Sequence, residues 1–297
     1  MKTAFTEMFE LSLPVVGAPM FLVSGPALVA AVSQAGGLGT LPSLNGRSSQ
    51  DFAALLDEVE GLTDRPYGVN LILKDNPRLE ADLETCLQHR VRMLITSLGD
   101  PTQVVERAHA RGVKVFCDVV SVRHAAKAAA AGADGLIAVS AGAGGHAGAI
   151  SALVLVPLLV QRFGLPVLAA GGIVDGRGLA AALCLGASAA YIGTRLIACP
   201  ESQASDAYQQ AVLDADIDDV EYTPEVTGVS ANFLRATVDA MRRGEIGPEK
   251  RYKNIWSAGQ DVALIADRPP AGELVQGMVR EASALLHKLA GDPIEAP

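Results

Sequence analysis

Short apolar runs alternate with amphipathic segments along the first 199 residues of the chain. Runs of this length, bounded by glycine, proline and hydroxyl residues, are typical of buried strands. Eight such runs predict strands, which cover residues 15–20, 38–41, 67–73, 91–97, 114–120, 136–140, 166–173 and 189–197.

The segments between these runs have apolar positions three and four residues apart, which predicts helices. Start signals such as Ser24-Gly25-Pro26 and Ser48-Ser49 precede them, and glycines such as Gly112 and Gly132 end them. The predicted helices include residues 79–88, 101–111, 151–163 and 178–185, and a last one spans 272–289.

Strands that alternate with helices predict an α/β fold with a parallel sheet and crossover helices. Eight strands are the number in a closed (β/α)8 TIM barrel. An open doubly wound sheet is the competing architecture, but no GxGxxG segment follows the first predicted strand. We therefore expect a TIM barrel.

The alternation stops after the eighth predicted strand. Residues 200–255 contain an acidic run, Asp214 to Glu221, and then a predicted helix, Ala231 to Arg243. We expect residues 1–199 and 256–297 to form the barrel and residues 200–255 to form an inserted lid or substrate subdomain over the strand ends. A peripheral packing element is the alternative for the insertion.

Composition and charge exclude several classes of partner. The net charge of −9 provides no basic field for nucleic acid. The longest apolar stretch, Ala152 to Val160, contains Pro157 and is too short to cross a bilayer, and residues 1–13 do not have the pattern of a signal peptide. Four cysteines without CxxC spacing suggest small buried side chains in a reducing cytoplasm. The apolar composition is compatible with a homodimer, which no stretch of the sequence establishes.

Glycines stand at the ends of the seventh and eighth predicted strands, as Gly171-Gly172 and as Gly193-Thr194. Barrel enzymes often bind phosphate between these two loops, where bare amides contact the oxygens. Thr194 adds a hydroxyl donor. These residues predict a phosphorylated ligand, although each glycine alone is also explained by a tight turn.

Three further side chains are candidates for chemistry at the strand ends. His146 follows the sixth strand in a glycine-rich segment, and its pKa near neutrality suits proton exchange, unless it is a structural histidine. Asn70, near the end of the third strand, has an amide that suits a flat heteroaromatic ring, or it caps a turn. Met20 suits packing on such a ring or in the core. Neither a metal-ligand spacing nor a GxSxG elbow is present in the sequence.

The sequence resembles the nitronate monooxygenase family, whose members are FMN-dependent barrels related to flavin enoyl-ACP reductases and NADH:quinone reductases. The resemblance runs in family order over most of the barrel, and its most specific segment is Ala143–Gly148. The other matching segments are residues 18–20, 31–39, 68–70, 169–173, 193–195 and 256–260. The chain departs from many members of the family in two places: at Gly142, where they have glutamate, and at the pair Tyr191-Ile192, where they have Gln-Met.

The resemblance implies an enzyme that holds FMN and uses O2 to oxidise a small nitronate or nitroalkane to a carbonyl compound and nitrite. His146 would be the catalytic residue, with the phosphate on residues 171, 172, 193 and 194 and the flavin ring near Asn70 and Met20. The implied cofactor contacts are Ala18, Pro19, Met20, Asn70, Gly145, Ala170, Gly171, Gly172, Gly193 and Thr194. The alternatives are an FMN-dependent NAD(P)H reductase of quinones or enoyl thioesters, and a phospho-ligand sensor without catalysis.

Overall fold

The computed structural model describes residues 1–248 and 251–291. Eight parallel strands close into a barrel, and a two-residue strand, β7, lies outside it. The strands of this part of the chain are β1 (Val15–Gly17), β2 (Leu38–Pro42), β3 (Tyr67–Ile72), β4 (Met93–Ser97), β5 (Lys114–Val119), β6 (Gly135–Val139), β7 (Gly145–His146), β8 (Val167–Ala170) and β9 (Ala189–Ile192). Closure comes from β1, whose Val16 pairs with Tyr191 of β9 on one side and with Leu38 of β2 on the other.

Helices connect successive strands and cover the outside of the barrel. Those before and within the barrel are α1 (Ala4–Phe9), α2 (Pro26–Gln34), α3 (Ser49–Leu62), α4 (Leu79–Gln88), α5 (Thr102–His109), α6 (Val122–Ala130), α7 (Ala152–Phe163), α8 (Gly176–Cys184) and α9 (Thr194–Ile197). The predicted (β/α)8 TIM barrel is confirmed, and all eight carboxyl ends of its strands lie at one mouth.

Local sequence explains where these helices begin. At α3 the Ser48 hydroxyl accepts from the Asp51 amide at 3.1 Å, and the Asp51 carboxylate accepts from the Ser48 amide at 3.0 Å. Such a capping box satisfies two amides that a helix start leaves without partners. Helix α4 spans Leu79–Gln88, the residues that the apolar spacing predicted.

An aromatic cluster fills the end of the barrel opposite the mouth. Helix α1, to which the sequence analysis assigned no element, inserts Phe5 and Phe9 against Phe116 of β5. Phe5 and Phe116 meet edge to face, with ring centroids 5.6 Å apart. Side chains of alternate strand residues such as Met93 and Ile137 complete this inner core.

Two predicted elements are wrong. The eighth strand ends at Ile192 rather than at residue 197, because Thr194–Ile197 form helix α9. The segment predicted as a helix over 231–243 begins as strand β11 (Ala231–Leu234), and helix α11 covers only Arg235–Arg242.

Residues after the barrel strands form a small antiparallel sheet and short helices. Helix α10 (Asp206–Asp214) precedes β10 (Val220–Thr223), which pairs with β11, and β11 also pairs with β7. Helices α12 (Arg251–Asn254) and α13 (Ala271–Gly291) follow, and α13 packs on α8 and α2. Among the helices of the described residues, none has both the length and the apolar character needed to cross a membrane.

Candidate active site

The glycine-rich segment after β6 packs directly on the loop after β8. The Ser140 amide and hydroxyl both donate to the Ala170 carbonyl, at 3.1 and 2.6 Å. Gly171 has φ +107°, and a Cβ there would lie 2.6 Å from the Ala143 amide nitrogen. Only glycine fits this close approach of two backbones.

The same segment also reaches the loop after β9. A Cβ on Gly144 would lie 3.2 Å from Thr194 Oγ1 and 2.8 Å from the Gly259 nitrogen. The Gly259 amide donates to the Thr194 hydroxyl at 2.9 Å, and the Gln260 amide donates to the Gly142 carbonyl at 3.1 Å. The structure therefore brings together the glycine-rich segment, Gly171-Gly172, Thr194 and residues 259–260.

Open space and free amides lie at the junction of these loops. Gly172 has φ +75°, and apart from its two chain neighbours no atom of the described residues lies within 4 Å of where its Cβ would be. Among the described residues, the amides of Gly172 and Gly193 donate to no other backbone group. The guanidinium of the nearby Arg195 is bonded to Asp267, so an anion here would be held by amides rather than by that side chain.

A buried carboxyl lies beside this junction. Asp261 is in contact with Gly259, and burial raises its pKa to about 6, although the Thr194 hydroxyl opposes the shift. Asp261 was not predicted as a site residue, since it lies 67 residues beyond Thr194 and only the fold brings the two together.

The loop after β1 approaches Gly193 from the other side. The Ala18 amide donates to the Ile192 carbonyl at 2.8 Å, and the Met20 sulfur lies 3.6 Å from where a Gly193 Cβ would be. Ser24, which was not predicted as a site residue, fixes this turn, because its hydroxyl donates to the Ala18 carbonyl and accepts from the Met20 amide. Pro19 between them is partly exposed.

Polar side chains line the inside of the barrel just below the mouth. The Asn70 NH2 group donates to Ser97 Oγ at 2.9 Å and to the Ile95 carbonyl at 3.3 Å, and the Ser97 hydroxyl donates to Asp118 Oδ2. Asp118 Oδ1 is buried and has no hydrogen-bond partner among the described residues. Burial raises the pKa of Asp118 to about 6, and the Ser97 hydrogen bond opposes that shift. The Tyr191 pKa lies well above its ordinary value through burial and the nearby Asp118.

His146 lies in β7, opposite Ala231 of β11. Its side chain is exposed on one side, and its Nε2 lies 3.0 Å from Thr227 Oγ1. Because the Thr227 hydroxyl donates to the Val229 carbonyl, its oxygen is left as the acceptor for Nε2–H. Partial desolvation lowers the His146 pKa below its ordinary value.

The sheet of β10 and β11 holds the glycine-rich segment from outside. Asn232, 1% exposed, donates from Nδ2 to the carbonyls of Ala141 at 3.0 Å and Ala143 at 2.7 Å. The Tyr222 hydroxyl donates to the Ala147 carbonyl at 3.0 Å. Sequence reasoning missed these contacts because it assigned residues 231–234 to a helix.

We expect Asn232→Ala to lower the free energy of unfolding by about 1–3 kcal/mol, since two buried carbonyls lose their donor. Urea unfolding followed by circular dichroism measures this change. Gln34→Ala removes an amide-to-carbonyl hydrogen bond to Leu62 on the outer, exposed surface and is the matched control, with a smaller expected loss. Equal losses for the two variants would show that Asn232 does not hold the segment.

The other four histidines lie on or at the ends of helices α4, α5, α6 and α13. His109 pairs with Asp134 at 2.8 Å, and His124 lies in the first turn of α6. All four cysteines are unpaired, and Cys184 is exposed, contrary to the expectation that all four are buried. Within the described ranges, no group of three or more His, Cys, Asp or Glu side chains is arranged to hold a metal ion.

Comparison with known proteins places this architecture among oxidoreductases. The family model "Nitronate monooxygenase" matches residues 2–246. A nitronate monooxygenase of Pseudomonas aeruginosa is 34% identical, over 95% of this chain and 99% of the relative. The structure of FabK from Thermotoga maritima has a TM-score of 0.88 and 31% identity over 98% of this chain and 99% of that one. A nitroalkane oxidase from Streptomyces ansochromogenes has a TM-score of 0.84 and 27% identity over 97% of this chain and 100% of that one.

Proposed function

The chain belongs to the nitronate monooxygenase family, whose members are oxidoreductases, and from this premise we propose that it oxidises a small nitronate with O2. The products are a carbonyl compound and nitrite. We propose FMN as the cofactor, which when bound supplies the one-electron chemistry and the reaction with oxygen. The protein supplies binding, orientation and proton transfer.

The observation that carries this proposal is the junction of glycine loops at the mouth. Gly172 faces open space, and the amides of Gly172 and Gly193 have no backbone acceptor in the described part of the chain. A phosphate with two negative charges suits such amides, and Gly171 and Thr194 complete the proposed phosphate site. Gly171 serves by letting the two loops meet, because a Cβ there would collide with Ala143.

The proposed ring site lies between this junction and the polar interior of the barrel. Ala18, Pro19 and Met20 flank it on the β1 side, Asn70 supplies a buried amide, and the segments that contain Gly145 and Ala170 border it. The polar atoms of Asn70 and the sulfur of Met20 fit a flat heteroaromatic ring.

His146 is the proposed catalytic residue. Its Nε2 proton is held by Thr227, which leaves Nδ1 as the basic nitrogen. Because its pKa is lowered, the imidazole is neutral near pH 7 and can accept the acidic carbon-bound proton of a neutral nitroalkane. The resulting Nδ1–H then donates to a nitro oxygen, which is also how the protonated ring would hold a nitronate anion.

We propose that residues 200–255 act as a lid over this site. Three contacts support the proposal: β11 pairs with β7, Asn232 holds the glycine-rich segment, and Thr227 meets His146. A lid in this place would exclude water from the reacting carbon.

The second candidate is an FMN-dependent reductase that takes hydride from NAD(P)H and passes it to a quinone or enoyl thioester. The similarity to FabK of Thermotoga maritima, over nearly the whole of both chains, favours it. The two candidates share the proposed cofactor site and differ in the electron donor.

Anaerobic mixing separates the two candidates. We expect the purified protein to show the yellow absorption of a flavin, or to acquire it with added FMN. We further expect an alkyl nitronate to bleach that absorption and NADH to leave it unchanged over the same time. Rapid bleaching by NADH would favour the reductase instead, and a protein that binds no FMN would contradict both.

A further inference from the structure

In the barrel interior, Asp118 determines which group donates and which accepts in the hydrogen bonds that link it to Ser97 and Asn70. An ionised carboxylate only accepts hydrogen bonds, so the Ser97 hydroxyl gives its single proton to Asp118. The Ser97 oxygen is then an acceptor for Asn70, and the group that approaches it at 2.9 Å is the Asn70 NH2. The Ile95 carbonyl, also acceptor-only, lies 3.3 Å from the same NH2 group.

With both amide protons directed at Ser97 and Ile95, the remaining polar atom of Asn70 is its carbonyl oxygen Oδ1. Asn70 Oδ1 makes no hydrogen bond to any described residue, although Asn70 as a whole is only 6% exposed. Asn70 is therefore equipped to accept a hydrogen bond, and its donors are already used.

We propose that Asp118 is a positioning residue that acts through Ser97 to fix the Asn70 amide, so that the site presents an acceptor and selects a ring edge with an N–H donor. Naming that ring as flavin rests on the function proposed above. The orientation of Asn70 itself does not, because it follows from contacts within the chain.

The chain of hydrogen bonds also depends on the charge of Asp118. When Asp118 takes up a proton, its O–H donates to Ser97, and the Ser97 hydroxyl is released to donate to the Asn70 carbonyl oxygen. The amide then rotates and presents NH2 to the mouth, at the cost of its bond to Ile95. The selection would thus change from a ring donor to a ring acceptor as the pH falls.

Asp118 is the group of this cluster that changes charge between pH 5 and 8. Its pKa is about 6, raised by burial. The neighbouring Cys117 has a pKa raised to about 11 by burial, and Tyr191 has a pKa well above its ordinary value, so both stay neutral over this range. The remaining neighbours, Ser97 and Asn70, do not titrate.

The first test uses NMR of the full chain without flavin. The Asn70 side-chain NH2 signals, assigned by their loss in Asn70→Asp, should titrate in the wild type with a midpoint near the pKa of Asp118, which is about 6. Ser97→Ala should abolish this titration while Asp118 remains, and Ser97→Thr should restore it. Asp118→Asn should also abolish it. An Asn70 signal that does not titrate in the wild type, or that titrates equally in Ser97→Ala, would overturn the proposal.

The second test compares the FMN affinity of wild type and Ser97→Ala at pH 5 and pH 8. Both proteins share the ionisation of the FMN phosphate and of Asp261, so the difference between their pH profiles isolates the Asn70 switch. We expect the ratio of FMN affinity at pH 8 to that at pH 5 to be about tenfold larger in the wild type than in Ser97→Ala, because one hydrogen bond is worth about this factor. If FMN affinity depended on pH in the same way in both proteins, the proposal that Asn70 selects the ring edge would be wrong. A wild type that binds no FMN would contradict the proposed function, while the NMR result would still decide the orientation of Asn70.

Discussion

We expect His146→Ala to keep its flavin and to lose turnover by about 10²–10⁴-fold, the usual contribution of a positioned acid or base. The loss should be largest with a neutral nitroalkane, from which a proton must be removed. It should be smaller with a preformed nitronate, which needs only a donor to the nitro group. Steady-state rates with the two substrate forms, together with the flavin absorption of each variant, measure the effect.

The pH dependence of kcat/KM also tests whether His146 acts as a base. The lowered pKa of His146 means that the neutral imidazole is present above that pKa and is lost as the pH falls through it. Wild-type kcat/KM with the neutral nitroalkane should therefore decrease as the pH falls below the pKa of His146. The residual kcat/KM of His146→Ala should not show this decrease. The matched control is His109→Ala, which removes a histidine of helix α5 that pairs with Asp134 away from the barrel mouth, and it should keep wild-type rates. Full activity of His146→Ala would exclude it as the catalytic residue.

The second to seventh strands of the barrel could be predicted because each is a buried run between two helix signals, whereas no helix was predicted before the first strand, where α1 lies. Leu79–Gln88 was predicted to the residue, since its apolar spacing is helical. The eighth strand was extended wrongly because Leu196 and Ile197 are as buried in α9 as they would be in a strand, so hydrophobicity alone does not separate the two. Ala231–Leu234 is a strand because it pairs with β7. In this pairing Ala231 lies opposite His146, which is 85 residues earlier in the chain, and a pairing over such a distance leaves no local sequence signal.

The residues of the candidate site also fall into those that could be predicted from the sequence and those that could not. Gly171, Gly193 and Asn70 could be chosen as candidates because they stand at predicted strand ends, where barrel enzymes carry their chemistry. Ser97 and Asp118 were missed because their hydrogen bonds join residues 21 to 27 positions apart. One signal was available for Asp118. It lies two residues after Phe116 in β5, so its carboxylate is on the same inner face as Phe116, at the end of the strand.

Thr227 left no comparable signal. It lies 81 residues after His146 and meets it only because the β10–β11 sheet adds to β7. The basic nitrogen of His146 is thus determined by Thr227, between β10 and β11, rather than by the glycine-rich segment that contains the histidine.

The other large effect is expected from Gly171→Ala, which should weaken FMN binding by about ten- to a hundredfold and reduce turnover in proportion to the flavin lost. The added Cβ would lie 2.6 Å from the Ala143 nitrogen, which donates to the Ser140 carbonyl, and 2.7 Å from Ser140 Oγ, which donates to the Ala170 carbonyl of β8. One of the two loops must therefore shift, and φ +107° adds strain of about 1–3 kcal/mol. Losing a single charge-assisted amide bond to phosphate costs about 1.5–3 kcal/mol, which gives the expected factor.

Gly164→Ala separates the local collision from the general cost of a left-handed residue. Gly164 ends α7 with φ +63°, and in the described part of the chain no atom beyond its immediate neighbours lies within 4 Å of its Cβ position. This variant should lose about 1–2 kcal/mol of unfolding free energy and keep wild-type FMN affinity, because the strain acts on stability alone. Fluorescence titration with FMN and urea unfolding of both variants measure the two quantities. If Gly171→Ala bound FMN as tightly as Gly164→Ala, the phosphate would not lie at the contact between the β6 and β8 loops, and the cofactor site would have to be placed elsewhere on the barrel.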